Sequence, residues 1–128
     1  MKNVFILGLL DLTTPELYAS DLKDIVQTCK TFSVEKASIS AECAAENGGT
    51  YKTALRLRGV NNYNGKLQFD EDSSTKSEFF ETCTNKSIDS SGRLRALCED
   101  GTGQRLWSTL DLKPVLKNYN GTIVYALD

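Results

Sequence analysis

Histidine is absent from the 128-residue chain. That absence excludes Ser-His-Asp and Cys-His nucleophilic machinery, the commonest general base, and the imidazole ligands of most catalytic zinc sites. An excess of one charge is missing too: 15 Lys+Arg face 17 Asp+Glu for a net charge of −2, and the basic residues are scattered singly. A nucleic-acid partner would need them massed on one face, so none is expected. No apolar run approaches the length of a transmembrane helix, which argues against membrane insertion. No C-x-x-C pair occurs, so a zinc knuckle or a thioredoxin-like motif has no foothold. What is present, 40% hydrophobic and 25% charged residues, suits an ordinary globular protein of one compact domain or two small interlocked halves.

Four cysteines, Cys29, Cys43, Cys83 and Cys98, are spaced 14, 40 and 15 residues apart. An even count in so small a domain points to two disulfides and a secreted or extracellular location; the alternative is four buried free thiols. Met1-Lys2 and the apolar stretch Val4–Leu10 resemble the start of a secretory leader, with Ala19 and Ser20 as candidate cleavage residues. The other reading is an N-terminal arm with an apolar strand. Residues 1–21 are thus an N-terminal extension or a leader remnant.

The chain repeats itself at an offset of about 55 residues, the signature of two equivalent modules. Val26-Gln-Thr-Cys29 answers Phe80-Glu-Thr-Cys83, and Asn62-Tyr-Asn-Gly65 answers Asn118-Tyr-Asn-Gly121. Ala37–Cys43, Thr53–Leu57 and Lys66–Phe69 in one half, and Arg93–Cys98, Thr109–Leu112 and Thr122–Tyr125 in the other, alternate as half-buried strands do. Asn64-Gly65 and Asn120-Gly121 supply residues tolerant of positive φ for tight turns. No helical stripe is sustained; short turns are expected near 57–61 and 112–117. The fold class is therefore all-β with internal pseudo-twofold symmetry. Equivalent modules should be stapled equivalently, which pairs Cys29 with Cys43 and Cys83 with Cys98. Asp70–Ser77, polar and without proline, reads as a flexible connector.

Carboxylates are the one catalytic resource in supply, and Glu42, Glu46, Glu78, Glu81, Glu99 and Asp100 are candidates for a glycosidase pair, yet no two are singled out by pattern. Asn47-Gly-Gly49 and Gly101-Thr-Gly103 lie between strands and read as hairpin loops, not phosphate cradles. No cofactor and no metal are expected. What stands out is a set of amides, hydroxyls and carboxylates beside turns: Gln27-Thr28, Glu46-Asn47 and Asn118–Asn120 in one group, and Asn61–Asn64, Ser77-Glu78 and Glu81-Thr82 in the other. Such arrays match a neutral polyol, whose hydroxyls donate and accept together. Satisfying the turns is the competing role.

Gln27-Thr-Cys29, Cys43 followed by Asn47-Gly-Gly49, Glu81-Thr-Cys83, Cys98 and the closing Asn118-Tyr-Asn-Gly121 together resemble the cyanovirin-N family of lectins, over residues 22–128. The resemblance implies two pseudo-symmetric domains, each completed by strands of both repeats: residues 22–59 plus 115–128 as carbohydrate-binding domain A, and 60–114 as domain B. It implies metal-free, non-catalytic binding of mannose-rich glycans with terminal α1,2-linked mannose, so that the partners would be mannose-containing oligosaccharides and glycoproteins. Carried across by position, the site in domain A comprises Asp24, Gln27, Thr28, Ala44, Glu46, Asn47, Asn118, Tyr119 and Asn120. That in domain B comprises Asn61, Asn62, Tyr63, Asn64, Ser77, Glu78, Phe79, Glu81, Thr82, Glu99, Asp100 and Gly103.

Several positions depart from the family pattern. Domain B has Gly101 and Gly103 where an arginine and a glutamine close over the sugar, and domain A has Ala44 for a glutamate and Asp24 for a lysine. Domain A keeps its Gln-Thr and Asn-Gly-Gly elements and is expected to be the working site. The connector is longer than the prototype's and lacks its proline, which favours a monomer over a domain-swapped dimer. Asn85-Lys-Ser87 and Asn120-Gly-Thr122 fit the N-glycosylation pattern. The rival readings are a disulfide-stabilised secreted interaction or structural module without sugar binding, and a small glycosidase.

Overall fold

A computed structural model describes residues 21–126; the leader reading concerns residues outside that range. Among the described residues the alternating runs form eleven strands. β1 (Lys23–Asp24) leads into a single helical turn, α1 (Ile25–Thr28), and then β2 (Cys29–Glu35), β3 (Ser38–Ala44) and β4 (Thr50–Arg56) form an antiparallel sheet in that order. A hairpin follows, β5 (Val60–Tyr63) and β6 (Lys66–Phe69). The second repeat copies the plan with a 3-10 turn at Phe79–Glu81, the sheet β7 (Cys83–Ile88), β8 (Arg93–Glu99) and β9 (Arg105–Asp111), and the hairpin β10 (Leu116–Tyr119) and β11 (Thr122–Tyr125). The architecture is all-β and pseudo-symmetric, as the sequence indicated.

The hairpins change places. β11, from the second repeat, packs on β4 of the first, and β6, from the first, packs on β9 of the second. Matched bonds fasten the two crossings: Ile123 N–H donates to Thr53 Oγ1 at 3.1 Å and Leu67 N–H to Ser108 Oγ at 2.9 Å. β10 also takes β1 onto its free edge, pairing Lys23 with Asn118. The three-stranded sheets meet where β2 packs on β7. One apolar core results, in which corresponding residues of the repeats are buried alike: Ile25 and Phe79, Ile39 and Leu94, Ala41 and Ala96, Leu57 and Leu112, Leu67 and Ile123.

Each disulfide joins residues directly opposite one another, Cys29 with Cys43 and Cys83 with Cys98. A register shift follows the first cysteine of each pair, placing Thr31 (φ 60°) and Asn85 (φ 54°) in the left-handed region. The extra residue leaves the ladder locally unpaired and increases the twist of the strand.

Two local expectations differ from the structure. Helical turns fall immediately before Cys29 and Cys83, not at 57–61, where β5 begins at Val60. Asp24 explains the first, because its Oδ1 accepts from Val26 N–H at 2.8 Å and caps the turn. Residues 112–117 do turn, through Val115 and Leu116 N–H donating to the Leu112 carbonyl. The segment 70–77 read as flexible is instead fastened to the residues just before β5: Gly59 N–H donates to Thr75 O at 2.7 Å, Asp70 N–H to Gly59 O at 2.6 Å, and Arg58 bridges Lys76.

Candidate functional site

The two Asn-Tyr-Asn-Gly segments close their hairpins as two-residue turns. Asn64 and Asn120 have φ of 54° and 50°, and the glycines after them 94° each. These are the positive values of a type I′ turn, which suits strand twist and requires Asn-Gly chemistry. The first asparagine of each segment does something else. Asn118, only 1% exposed, donates from Nδ2 to Thr28 Oγ1 at 3.0 Å and to Ala44 O at 2.9 Å, while its Oδ1 accepts from Gly121 N–H at 2.8 Å. Asn62 repeats the pattern with Thr82 Oγ1 at 2.9 Å, Glu99 O at 3.0 Å and Gly65 N–H at 2.8 Å. One amide thus staples hairpin, helical turn and cysteine-bearing strand at each end of the molecule.

Around the first staple the domain A candidates separate by availability. Thr28 also donates to Asp24 O at 2.7 Å, and Asp24 faces Lys113 at 3.6 Å. Asn118 and Thr28 are therefore committed internally. Gln27, Ala44, Glu46, Asn47 and Asn120 are exposed, and Tyr119 is half-buried. Asn120 Oδ1 accepts from Glu46 N–H at 2.9 Å, tying the hairpin tip of one repeat to the loop of the other. Asn47 is fixed through Oδ1 to Gly49 N–H at 2.7 Å and through Nδ2 to the Tyr51 hydroxyl at 2.7 Å.

These contacts frame an open cavity of about 310 Å³ lined by Ala45, Asn47, Tyr51, Lys52, Asn120, Gly121 and Thr122. Asn47 and Asn120 were expected from the sequence; Tyr51, Lys52, Ala45 and Thr122 were not. The available signal was Tyr51 itself, an aromatic left 47% exposed on the strand after the Gly-Gly loop. Gly121 lets the tip close: a Cβ there would lie 2.8 Å from Tyr51 Cδ2.

The domain B candidates are more heavily engaged. Asn61 holds Glu78 N–H at 2.7 Å, Asp70 Oδ2 at 2.9 Å and Lys76 O at 3.2 Å. Tyr63 donates to Asp70, which also accepts from Thr75. Ser77 is buried and accepts from Val60 N–H at 2.8 Å, and Phe79, 1% exposed, belongs to the core. Glu99 pairs with Arg105 at 3.3 Å. Asp100 Oδ1 accepts from Thr102 Oγ1 at 2.6 Å and Thr102 N–H at 2.8 Å. Asn64, Glu78, Glu81, Thr82 and Gly103 remain exposed.

Of the candidate carboxylates, Glu42 is half-buried, Glu78 precedes and Glu81 ends the 3-10 turn, and the Thr102 hydroxyl and N–H hold Asp100 below the usual carboxylate range. A glycosidase acid needs the opposite shift. Among the described residues no group of three or more His, Cys, Asp or Glu could hold a metal ion, and no helix is long and apolar enough to cross a membrane.

The architecture matches solved structures. A variant of MoCVNH3 in complex with (N-GlcNAc)4 has a TM-score of 0.66 at 15% identity, covering 87% of this chain and 100% of that one. Microvirin in a complex with mannobiose has a TM-score of 0.62 at 24% identity, covering 81% and 99%. The Gibberella zeae CVNH has a TM-score of 0.59 at 18% identity, covering 79% and 95%. At these identities the likeness establishes the fold. With both repeats, both disulfides and the exchanged hairpins in place, the match of the CVNH domain model to residues 26–124 identifies this chain as a member of the CVNH, or cyanovirin-N homologue, family.

Proposed function

We infer that the protein is a carbohydrate-binding lectin whose working site lies in domain A, formed by residues 22–59 and 115–128, with 60–114 as the pseudo-symmetric domain B. The observation that carries this reading is the open cavity at the seam of the two repeats, where Asn47 and Asn120 are held in place by hydrogen bonds and Tyr51 presents an exposed ring. Fixed amides beside an aromatic face suit a pyranose, whose hydroxyls need paired donors and acceptors while its C–H face is apolar. Glu46 adjoins the cavity through its N–H bond to Asn120. Gln27 and Tyr119 belong to the same proposed site, and Asp24, Thr28, Ala44 and Asn118 support it through the bonds of the Asn118 amide and the Asp24 cap.

The mechanism is recognition without chemistry, with modest affinity at a single site because water competes for the same hydroxyls. Mannose-rich glycans with terminal α1,2-linked mannose are the proposed ligands, in a secreted, monomeric protein. The disulfides suit that compartment. Microvirin's mannobiose and the MoCVNH3 variant's (N-GlcNAc)4 define the two probes to compare.

Titration of each sugar against amide NMR signals tests the reading. Mannobiose should shift Gln27, Asn47 and Asn120, and Tyr51→Ala and Asn120→Ala should each weaken it by about tenfold, the worth of one hydrogen bond or ring contact. Stationary signals with both sugars at high excess would leave the sugar-free interaction module as the better account.

A further inference from the structure

The Tyr119–Thr122 hairpin carries a feature that saccharide binding leaves unused. We propose that Asn120 is an N-glycosylation site whose glycan covers the cavity beside Tyr51. The masking rests on the function proposed above; the modification does not.

Asn120-Gly121-Thr122 fits the acceptor pattern. Asparagine and glycine are accounted for by the turn, with φ of 50° and 94°, but the hydroxyl is not. The matching turn in the first repeat runs from Asn64-Gly65 into Lys66, so the fold accepts a residue there that cannot complete an acceptor site. Asn120 and Thr122 are both exposed at the hairpin tip. The Glu46 N–H holds Asn120 Oδ1 at 2.9 Å and so orients the amide, leaving Nδ2, the atom to be modified, without a hydrogen bond to any described residue. Both residues line the same cavity as Tyr51. Two disulfides assign the chain to an oxidising compartment, the same lumen in which eukaryotic cells present a lipid-pyrophosphate-linked oligosaccharide to an oligosaccharyl transferase. In the transfer, Asn120 Nδ2 forms a bond to the anomeric carbon of the donor's first N-acetylglucosamine. The anomeric C–O bond breaks, the lipid pyrophosphate leaves, and Nδ2 gives one proton to the transferase.

Asn85-Lys86-Ser87, in the exposed bulge of β7, is removed from the test by Ser87→Ala. The S87A chain secreted from a eukaryotic cell should show an added mass that peptide-N-glycosidase removes, leaving aspartate at position 120. The same chain also carrying Asn120→Asp or Thr122→Lys should lack that mass. A secreted, disulfide-bonded S87A protein without it overturns the proposal. For the masking, unmodified wild-type protein from a disulfide-competent bacterial host should respond to mannobiose and the glycosylated S87A protein should not. An equal response from both overturns the masking alone. Silence from the unmodified protein toward both sugar probes counts against the proposed function and leaves the mass result standing.

Discussion

Asn118 and Asn62 show how one side chain serves the fold within a motif that reads as ligand chemistry. Removing the Asn118 amide leaves the Thr28 hydroxyl, the Ala44 carbonyl and the Gly121 N–H without their partner in a site only 1% exposed. Such losses cost about 1–3 kcal/mol per stranded group and are only partly additive. Asn118→Ala should therefore destabilise the protein by about 3 kcal/mol, and Asn62→Ala, at a half-buried position, by about half as much. Urea midpoints followed by circular dichroism would check the order as well as the sizes. The sequence marked all of Asn118–Asn120 as one sugar-facing group. It could not separate them, because what turns Asn118 inward is a carbonyl 74 residues away in the other repeat, whereas the turn chemistry of Asn120-Gly121 is local and was legible.

Among the elements, the segment from Asp70 to Ser77 departs most from its sequence. Eight polar residues without an apolar anchor resemble a loose linker, yet two carboxylates organise them: Asp72 accepts from Ser74 N–H and Oγ within the turn, and Asp70 ties the segment to the rest of the fold. Asp70 accepts from the Thr75 and Tyr63 hydroxyls and from Asn61 Nδ2, bonds that hold its carboxyl below the usual range. A depressed folded value means the clasp contributes fully above the unfolded carboxylate value of 3.8 and is lost as pH falls through the folded one. The same Asp70 bond raises the Tyr63 hydroxyl above its ordinary 10.0, so that contribution is present below pH 10.0 and is lost as pH rises through the raised value. Asp70→Asn should flatten the fall in stability below pH 3.8, seen as a smaller change in thermal midpoint between neutral and acid solution. Hydrogen exchange at the Gly59 and Asp70 amides should quicken in the same variant, since their partners lie within the clasp. Slow exchange unchanged by the substitution would mean that the backbone bonds alone hold the segment.

At the scale of the whole molecule, the repeat and the disulfide pairing were legible because both are properties of spacing. The exchange of hairpins was not a matter of spacing and came from the family resemblance. Leu67 and Ile123 each complete the core around the other repeat's sheet, so neither repeat buries its own apolar face, and the disulfides close loops within repeats without joining them. Reduction should lower stability by about 3 kcal/mol per bridge in the chain-entropy model and melt the molecule as one unit, a single transition in calorimetry. Symmetry of the backbone does not extend to the sites it carries. At the β10–β11 hairpin Tyr51 and Lys52 open onto a cavity; the corresponding residues on the strand that faces the β5–β6 hairpin are Leu106 and Trp107, and there Arg95 lies 3.6 Å over the Trp107 ring. Asn61 and Tyr63 are engaged with the connector, and Glu99 with Arg105. The expected stoichiometry for mannobiose on the unmodified protein is thus one per chain by titration calorimetry, with the chain eluting as a monomer in gel filtration. A monomer with one site cannot bridge two glycans, because avidity requires a second engaged site at high effective concentration. Mannose-rich glycoproteins should then bind without precipitating. Two sugars per chain, or a precipitate from monomeric protein, would show that the β5–β6 hairpin binds despite its internal bonds.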